Sequence, residues 1–395
     1  TVKTNFTVYA ALQHKFEGPE HSQSMEQSDS AICCTYSFKL AAEATVSLTK
    51  YVAICNSNYH AVEDLPKQAK ELVAQAAEKG FALLKQEQAD AWAEIWKLSD
   101  ISIDGDVAAQ QAIRFNIFQL LQTYTGEDAR LNIGPKGFTG EKYGGVTYWD
   151  TEAYCVPFYL GCRPPEVTRN LLIYRYNHLQ KAIENAAKLG FHSGAALYPM
   201  VTINGEECHN EWEITFEEIH RNGSMAYAIF NYIRYTDDKQ YLADYGLEVL
   251  VAIARFWKQR VNWSADKGKY VMLGVTGPNE YENNVNNNWY TNMLASWCLE
   301  YAMESLSWLQ GQDPQRYAEL REKLDFQDAE VSDWQHIVAH MYLPYDEKLK
   351  VFLQQDGYLD KEQILVADLP AADRPLNQKC SWDRILRSCF IKQAD

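Results

Sequence analysis

Apolar and polar residues alternate with a period of two in two early stretches, Thr4 to Ala10 and Thr45 to Ile54. That period puts successive side chains on opposite faces of a strand, so residues 1 to about 58 are predicted as strands. Gly18 to Ser30 is polar and unpatterned and is expected to be a loop. From Leu65 to about Trp96 the residues are Ala, Glu, Gln, Lys and Leu, strong helix formers, with Pro66 suited to a first turn. This stretch is expected to be a helical connector.

After about Gly105 the period lengthens to that of helices. Candidates are 107–124, 165–189, 215–235, 239–263, 287–309, 314–324 and 333–340. Helix following helix without strands predicts a mainly α domain, arranged as a toroid of helical hairpins. The intervening loops are long and rich in Gly, Pro, Asn, Trp and Tyr, and loops of that length usually carry function.

Composition narrows the function classes. Apolar residues make up 47% of the 395-residue chain and charged residues 23%, enough for a sizeable core. No run approaches the eighteen apolar residues of a membrane span. The net charge of −16, with no basic patch, argues against nucleic acid as a partner. The 11 Trp, 25 Tyr and 15 Phe could stack on sugar rings, or simply fill a large core. Nine cysteines without a C-x-x-C spacing are expected to be reduced thiols of a cytoplasmic protein. The chain opens at Thr1 on alternating apolar residues and closes without a stop signal, so both ends are expected to be cuts inside folded structure.

Three loops hold candidate chemistry. The first, Gly134 to Glu152, is glycine-rich but fits neither the dinucleotide nor the P-loop spacing. Within it, Trp149-Asp150 pairs a stacking ring with an acceptor for sugar hydroxyls. The competing reading is a structural Trp with Asp150 as a helix N-cap and Glu152 in the first turn. The second loop, Gly274 to Asn292, presents Glu280 on a Gly-Pro turn ahead of five asparagines. A carboxyl group held near aromatic rings tends to keep its proton and can act as a general acid on a glycosidic oxygen. Glu280 is the candidate, Glu282 is the rival carboxylate, and an ordinary surface acid is the bland alternative. The third loop, Glu206 to Glu213, crowds four acids with His209, Asn210 and Trp212, and taken alone reads as a solvated acidic loop.

Other chemistries find little support. His336 and His340 sit four apart on a probable helix, but Ile337 stands where a zinc-protease pattern needs Glu, so no metal site is expected. No G-x-S-x-G nucleophile elbow occurs.

Trp149-Asp150-Thr151-Glu152, Gly277-Pro278-Asn279-Glu280-Tyr281 and Lys392-Gln393-Ala394-Asp395, in this order and at these separations, resemble the inverting disaccharide phosphorylases of glycoside hydrolase family 65. The resemblance runs over essentially the whole chain. The loop Glu207 to Glu213 is most similar to that of the members acting on maltose, whereas members acting on kojibiose or trehalose carry other residues there. The resemblance implies an (α/α)6-barrel catalytic domain over 104–395, a helical linker over 63–103 and the last part of a β-sandwich over 1–62. It implies Glu280 as general acid. Trp149, Asp150, Lys392 and Gln393 would bind the glucosyl unit, and His209, Asn210 and Glu211 would shape the acceptor site. It further implies a homodimer and no cofactor, with maltose and inorganic phosphate as substrates. The phosphate-binding residues are expected beyond Asp395. An inverting α-glucosidase using Glu211 or Glu282 as base, and a non-catalytic sugar-binding protein, are the rival functions.

Overall fold

The computed structural model describes residues 6–134, 137, 144–209 and 213–395. The chain divides into two compact units, Thr1–Leu98 and Ser99–Asp395.

In the first unit, β1 (Val8–Glu17) pairs antiparallel with β4 (Ser47–Asn56), from Val8 opposite Asn56 to Glu17 opposite Ser47. Helix α1 (Leu65–Lys79) begins with Pro66 in its first turn and buries Leu65, Ala69 and Val73, spaced four apart on one face. Leu65 and Ala69 form a small core with Cys55 of β4, flanked by Tyr9 and Ala11 of β1. The polar stretch after Gly18 is not a loop. It contains β2 (His21–Gln27), which pairs with β3 (Ile32–Phe38). Every residue of β2 is exposed, so no buried face imposes alternation on its sequence. The long helix expected from Leu65 to Trp96 is also divided. Gly80 adopts a φ of 84°, where a side chain would be strained, and separates α1 from α2 (Phe81–Ser99).

The second unit is mainly helical. Its principal helices are α3 (Val107–Thr123), α4 (Val156–Cys162), α5 (Pro165–Asn177), α6 (Leu179–Lys188), α7 (Ile214–Glu217), α8 (Arg221–Thr236), α9 (Lys239–Tyr241), α10 (Leu247–Arg260), α11 (Trp289–Gln312), α12 (Pro314–Leu324) and α13 (Asp328–His340). Helix α10 is buried without interruption from Leu247 to Trp257, so it has no solvent face until its last turn and forms the middle of the core. It packs on α8 and α11. Gly223 lets α8 and α11 approach: a Cβ there would lie 2.2 Å from the Leu294 side chain. Two short hairpins interrupt the helices, Asn262–Ser264 with Lys269–Val271 and Tyr345–Asp346 with Val351–Phe352, and neither was expected. No described helix is long and apolar enough to cross a membrane.

Candidate active site

Trp149 and Asp150 stand where a loop enters α4 through a turn of π-helix, Thr151–Cys155. The loop is pinned from several sides. Thr147 and Thr202 exchange backbone hydrogen bonds of 2.7 and 3.1 Å. Thr147 and Thr151 each donate a hydroxyl to the Asn132 side-chain oxygen at 3.0 Å. Beneath them, Arg175 forms a bidentate pair with Glu152 at 2.7 and 2.9 Å, both side chains buried. Glu152 does stand in the first turn, as the competing reading had it, and there it is a buried anchor. Asp150 makes no capping hydrogen bond, which removes the N-cap reading. Trp149, 9% exposed, meets His220 edge-on with ring centres 4.9 Å apart. His220 in turn meets Tyr290 at 5.7 Å. Burial beside the Arg221 guanidinium pushes the His220 imidazole down to about 3, so the ring is neutral.

The end of α7 carries two adjacent acids with different fates, Glu217 in its last turn and Glu218 just after it. Glu217 is fully engaged. Its carboxylate accepts from the Thr276 hydroxyl at 2.8 Å, the Asn284 amide N–H at 3.1 Å and the Asn284 side-chain NH2 at 3.0 Å. It thus clamps both limbs of the loop that presents Glu280. Glu218 is 1% exposed and has no hydrogen-bond partner for its carboxyl among the described residues. Burial, reinforced by the negative charge of Glu280, pushes its carboxyl up to about 8. Asp150 acts in the same direction, whereas Arg221 and Lys392 oppose it. Asp150 itself lines a different cavity, about 420 Å³, with Tyr148, Thr151, Cys155 and Thr123.

Glu280 lines a cavity of about 390 Å³ with Glu213, Ile214, Glu217, Asn283 and Trp382. Its side chain is 40% exposed and lies 2.5 Å from the Lys392 ammonium. The expected apolar aromatic pocket is therefore replaced by an ion pair at the edge of a cavity with one Trp. Segment 392–395 is fastened to the Gly277–Glu280 turn. The Lys392 N–H donates to the Asn279 side-chain oxygen at 2.9 Å, and Gln393 donates to the Pro278 carbonyl at 2.6 Å. Asp395 accepts from the Asn279 N–H at 2.6 Å and also from the Asn288 side chain. Gly277 is required here, because a Cβ would lie 2.6 Å from both the Asn288 and Asp395 side chains.

The rival Glu282 is taken out of play. It is buried, paired with Lys361 at 2.6 Å and bonded by Gln355 at 2.8 Å. The asparagines that follow are mostly architectural. Asn286 and Asn287 accept from the Gly274 and Met272 N–H groups at 3.1 and 2.9 Å, and Asn288 caps α11 through Thr291 at 2.9 Å. In the loop expected to shape the acceptor site, the Glu207 carboxylate gathers the Met200, Val201 and His209 N–H groups at 2.6, 3.2 and 3.3 Å. The His209 ring lies 3.3 Å from the Tyr148 hydroxyl, next to Trp149. Asn210 and Glu211 lie outside the described residues.

Glu217, Glu218 and His220 were not anticipated. They fell inside a predicted helix, 215–235, where charged residues read as a solvated face. The only signal was the density of acids, His and Arg in Glu217-Glu218-Ile219-His220-Arg221. A larger cavity, about 920 Å³, shares no residue with the Glu280 cavity. Its Arg and Lys residues, Arg255, Lys258 and Lys323, are already paired with Glu330, Asp333 and Glu248.

Residues 114–395 match the glycosyl hydrolase family 65 central catalytic domain, and residues 1–95 match the family 65 N-terminal domain. The chain is 54% identical over 390 residues to the maltose phosphorylase of Bacillus subtilis (strain 168), covering 99% of this chain and 50% of that protein. It is 36% identical to the α,α-trehalose phosphorylase of Thermoanaerobacter brockii over 100% of this chain and 51% of the relative. Identity to the kojibiose phosphorylase of Halothermothrix orenii is 32%, over 84% of this chain and 44% of the relative. A solved structure named "Putative kojibiose phosphorylase from human microbiome" superimposes with a TM-score of 0.87 at 29% identity, over 100% of this chain and 51% of that one. The chain thus spans about half the length of the curated relatives it matches. On the two matched domains and the identity over nearly its whole length, the chain belongs to glycosyl hydrolase family 65.

Proposed function

We propose that the full protein carries out reversible phosphorolysis of maltose, giving β-glucose 1-phosphate and glucose. The observation that carries this reading is the fastening of Lys392 and Gln393 onto the turn that presents Glu280. The 54% identity to a maltose phosphorylase supports the choice of substrate.

In this mechanism Trp149 and Asp150 hold the glucosyl unit, and Lys392 and Gln393 bind it from the opposite segment. Bound sugar draws the Lys392 ammonium toward its hydroxyls and shuts water out, freeing the Glu280 carboxyl to hold a proton. Glu280 then gives that proton to the glycosidic oxygen as the bond breaks. Phosphate attacks the anomeric carbon from the opposite face, which inverts the configuration. Phosphate is an anion at neutral pH and needs no base, so one working carboxyl group suffices where an inverting hydrolase needs two. The engagement of Glu282 with Lys361 and Gln355 is consistent with that economy. His209, Asn210 and Glu211 shape the acceptor site, and the residues that bind phosphate lie beyond Asp395. No cofactor enters the scheme.

The helical succession of the second unit supports an (α/α)6 barrel over 104–395, with 1–62 and 63–103 as partial β-sandwich and linker. A homodimer in the cytoplasm completes the reading. Light scattering on the full protein tests the dimer. Glu280→Gln is expected to lower kcat by about 10²–10⁴-fold while leaving maltose affinity within a fewfold. Undiminished turnover in that variant rules out Glu280 as the acid.

A further inference from the structure

We infer that Trp382 is a further specificity-determining residue, its indole ring forming the apolar platform on which the acceptor sugar, the leaving glucose, stacks beside Glu280. The inference deepens the phosphorolysis reading and rests on it for Glu280 as the acid.

The argument starts from a shared cavity. Trp382 and Glu280 both line the space of about 390 Å³ that also touches Glu213, Ile214, Glu217 and Asn283. A general acid meets its substrate at the glycosidic oxygen, so the space beside Glu280 belongs to one of the two sugars joined there. The other lining residues say which. Asp150, expected on the glucosyl unit, lines a separate cavity with no residue in common. Glu213 ends the loop expected to shape the acceptor site, and Ile214 follows it directly. The Glu280 cavity therefore lies on the acceptor side of the acid. Phosphate does not suit it. Three of its six lining residues are carboxylic acids and, among the described residues, none is Lys, Arg or His.

The ring itself is accessible. Trp382 is 55% exposed. A tryptophan usually covers most of its large apolar ring, and an open ring at a cavity marks a surface that gains by being covered. The carboxyl groups of Glu213 and Glu280 and the amide of Asn283 stand around the same space. A pyranose divides its surface in the matching way, with an apolar C–H face for the ring and hydroxyls at its rim for the polar groups.

The platform is also fixed relative to the acid. Trp382 opens a short helix, Trp382–Leu386, whose Ser381 cap accepts from the Arg384 N–H at 3.3 Å. Ile385, on the same helix, is 1% exposed and packs with Tyr281, Leu369 and Phe390. Tyr281 follows Glu280 in the chain and meets the Trp382 ring edge-on, with centres 5.5 Å apart and planes at 87°. One buried tyrosine thus holds both the turn of the acid and the ring that faces the same cavity.

The test runs the full-length protein in the synthetic direction, with β-glucose 1-phosphate as donor and glucose as acceptor. Trp382→Ala is expected to raise KM for glucose about tenfold while KM for β-glucose 1-phosphate changes less than about twofold. Trp382→Phe keeps a flat ring and is expected to bring KM for glucose back to within about threefold of wild type. An unchanged KM for glucose in Trp382→Ala overturns the inference. So does a rise in KM for the donor as large as that for the acceptor, which is what a residue that only supports the fold would give, or a Phe variant no better than the Ala one. Should Trp382→Ala not fold, Trp382→Leu decides. It keeps apolar bulk but loses the flat face, so KM for glucose is expected to rise about fivefold, and a wild-type value overturns the inference. Cleavage of maltose at the same rate without phosphate defeats the phosphorolysis reading. The platform is then read from hydrolysis: Trp382→Ala is expected to lose about tenfold more in kcat/KM on maltose than on methyl α-glucoside, and equal losses overturn the inference, so the two failures are told apart.

Discussion

A buried acid that keeps its proton near neutrality makes stability depend on pH, and Glu218 shows the sign of that dependence. In the folded chain its carboxyl is pushed up to about 8, against an ordinary value of 4.5. Between those values the folded state holds one more proton than the unfolded state, so stability falls as pH rises, by about 1.4 kcal/mol per pH unit. Glu218→Gln removes this dependence. The variant is therefore expected to gain stability relative to wild type from pH 5 to pH 8, read as a widening difference in chemical denaturation midpoint. A difference independent of pH contradicts the assignment. His220 works in the opposite sense. Its imidazole is pushed down to about 3, so its share of stability is present above the ordinary 6.5 and is lost as pH falls below it. Under Trp149, the Glu152–Arg175 pair leaves an uncompensated charge if either side is cut. Glu152→Ala is expected to cost about 3–5 kcal/mol in urea unfolding.

At the scale of elements, the site depends on loops held by side chains from distant segments. The loop that presents Glu280 is clamped by Glu217 on one side and by segment 392–395 on the other. Gly277→Ala puts a methyl group against Asp395 and Asn288. It is expected to displace Lys392 and to lower kcat/KM on maltose by about 10–10²-fold with the fold intact by circular dichroism. Wild-type kinetics in that variant contradict the clamp.

How much of this was legible follows from where the physical signal lies. Pro314–Leu324 was readable to the residue, because Pro at the start and a clear period mark its ends. Gly80 stands alone in a strongly helical composition, so nothing around it marks the break between two helices. Strand β2 was invisible, since a strand with no buried face has no alternation to read. The charged run Glu217 to Arg221 looked like a surface because periodicity does not report that both faces of a helix start are covered. The bond between Lys392 and Asn279 spans 113 residues of sequence, and nothing local in either segment announces it. The motifs Trp149-Asp150, Gly277 to Tyr281 and Lys392 to Asp395 became informative only jointly, through resemblance to a family.

For the whole molecule, the family and the mainly helical second unit rest on matched domains and on structural likeness, while the proposed chemistry rests on Glu280, Lys392 and Asp150. A net charge of −16 does nothing to attract phosphate, so the proposed reaction calls for a local positive site. The central claim is that an outside anion, not water, attacks while Glu280 supplies the proton. It is tested most directly by incubating the full-length protein with maltose, with and without inorganic phosphate, and following product anomers by NMR. The account predicts cleavage only with phosphate, giving one β-glucose 1-phosphate for each glucose. Two glucose molecules per maltose, released at the same rate without phosphate, contradict it.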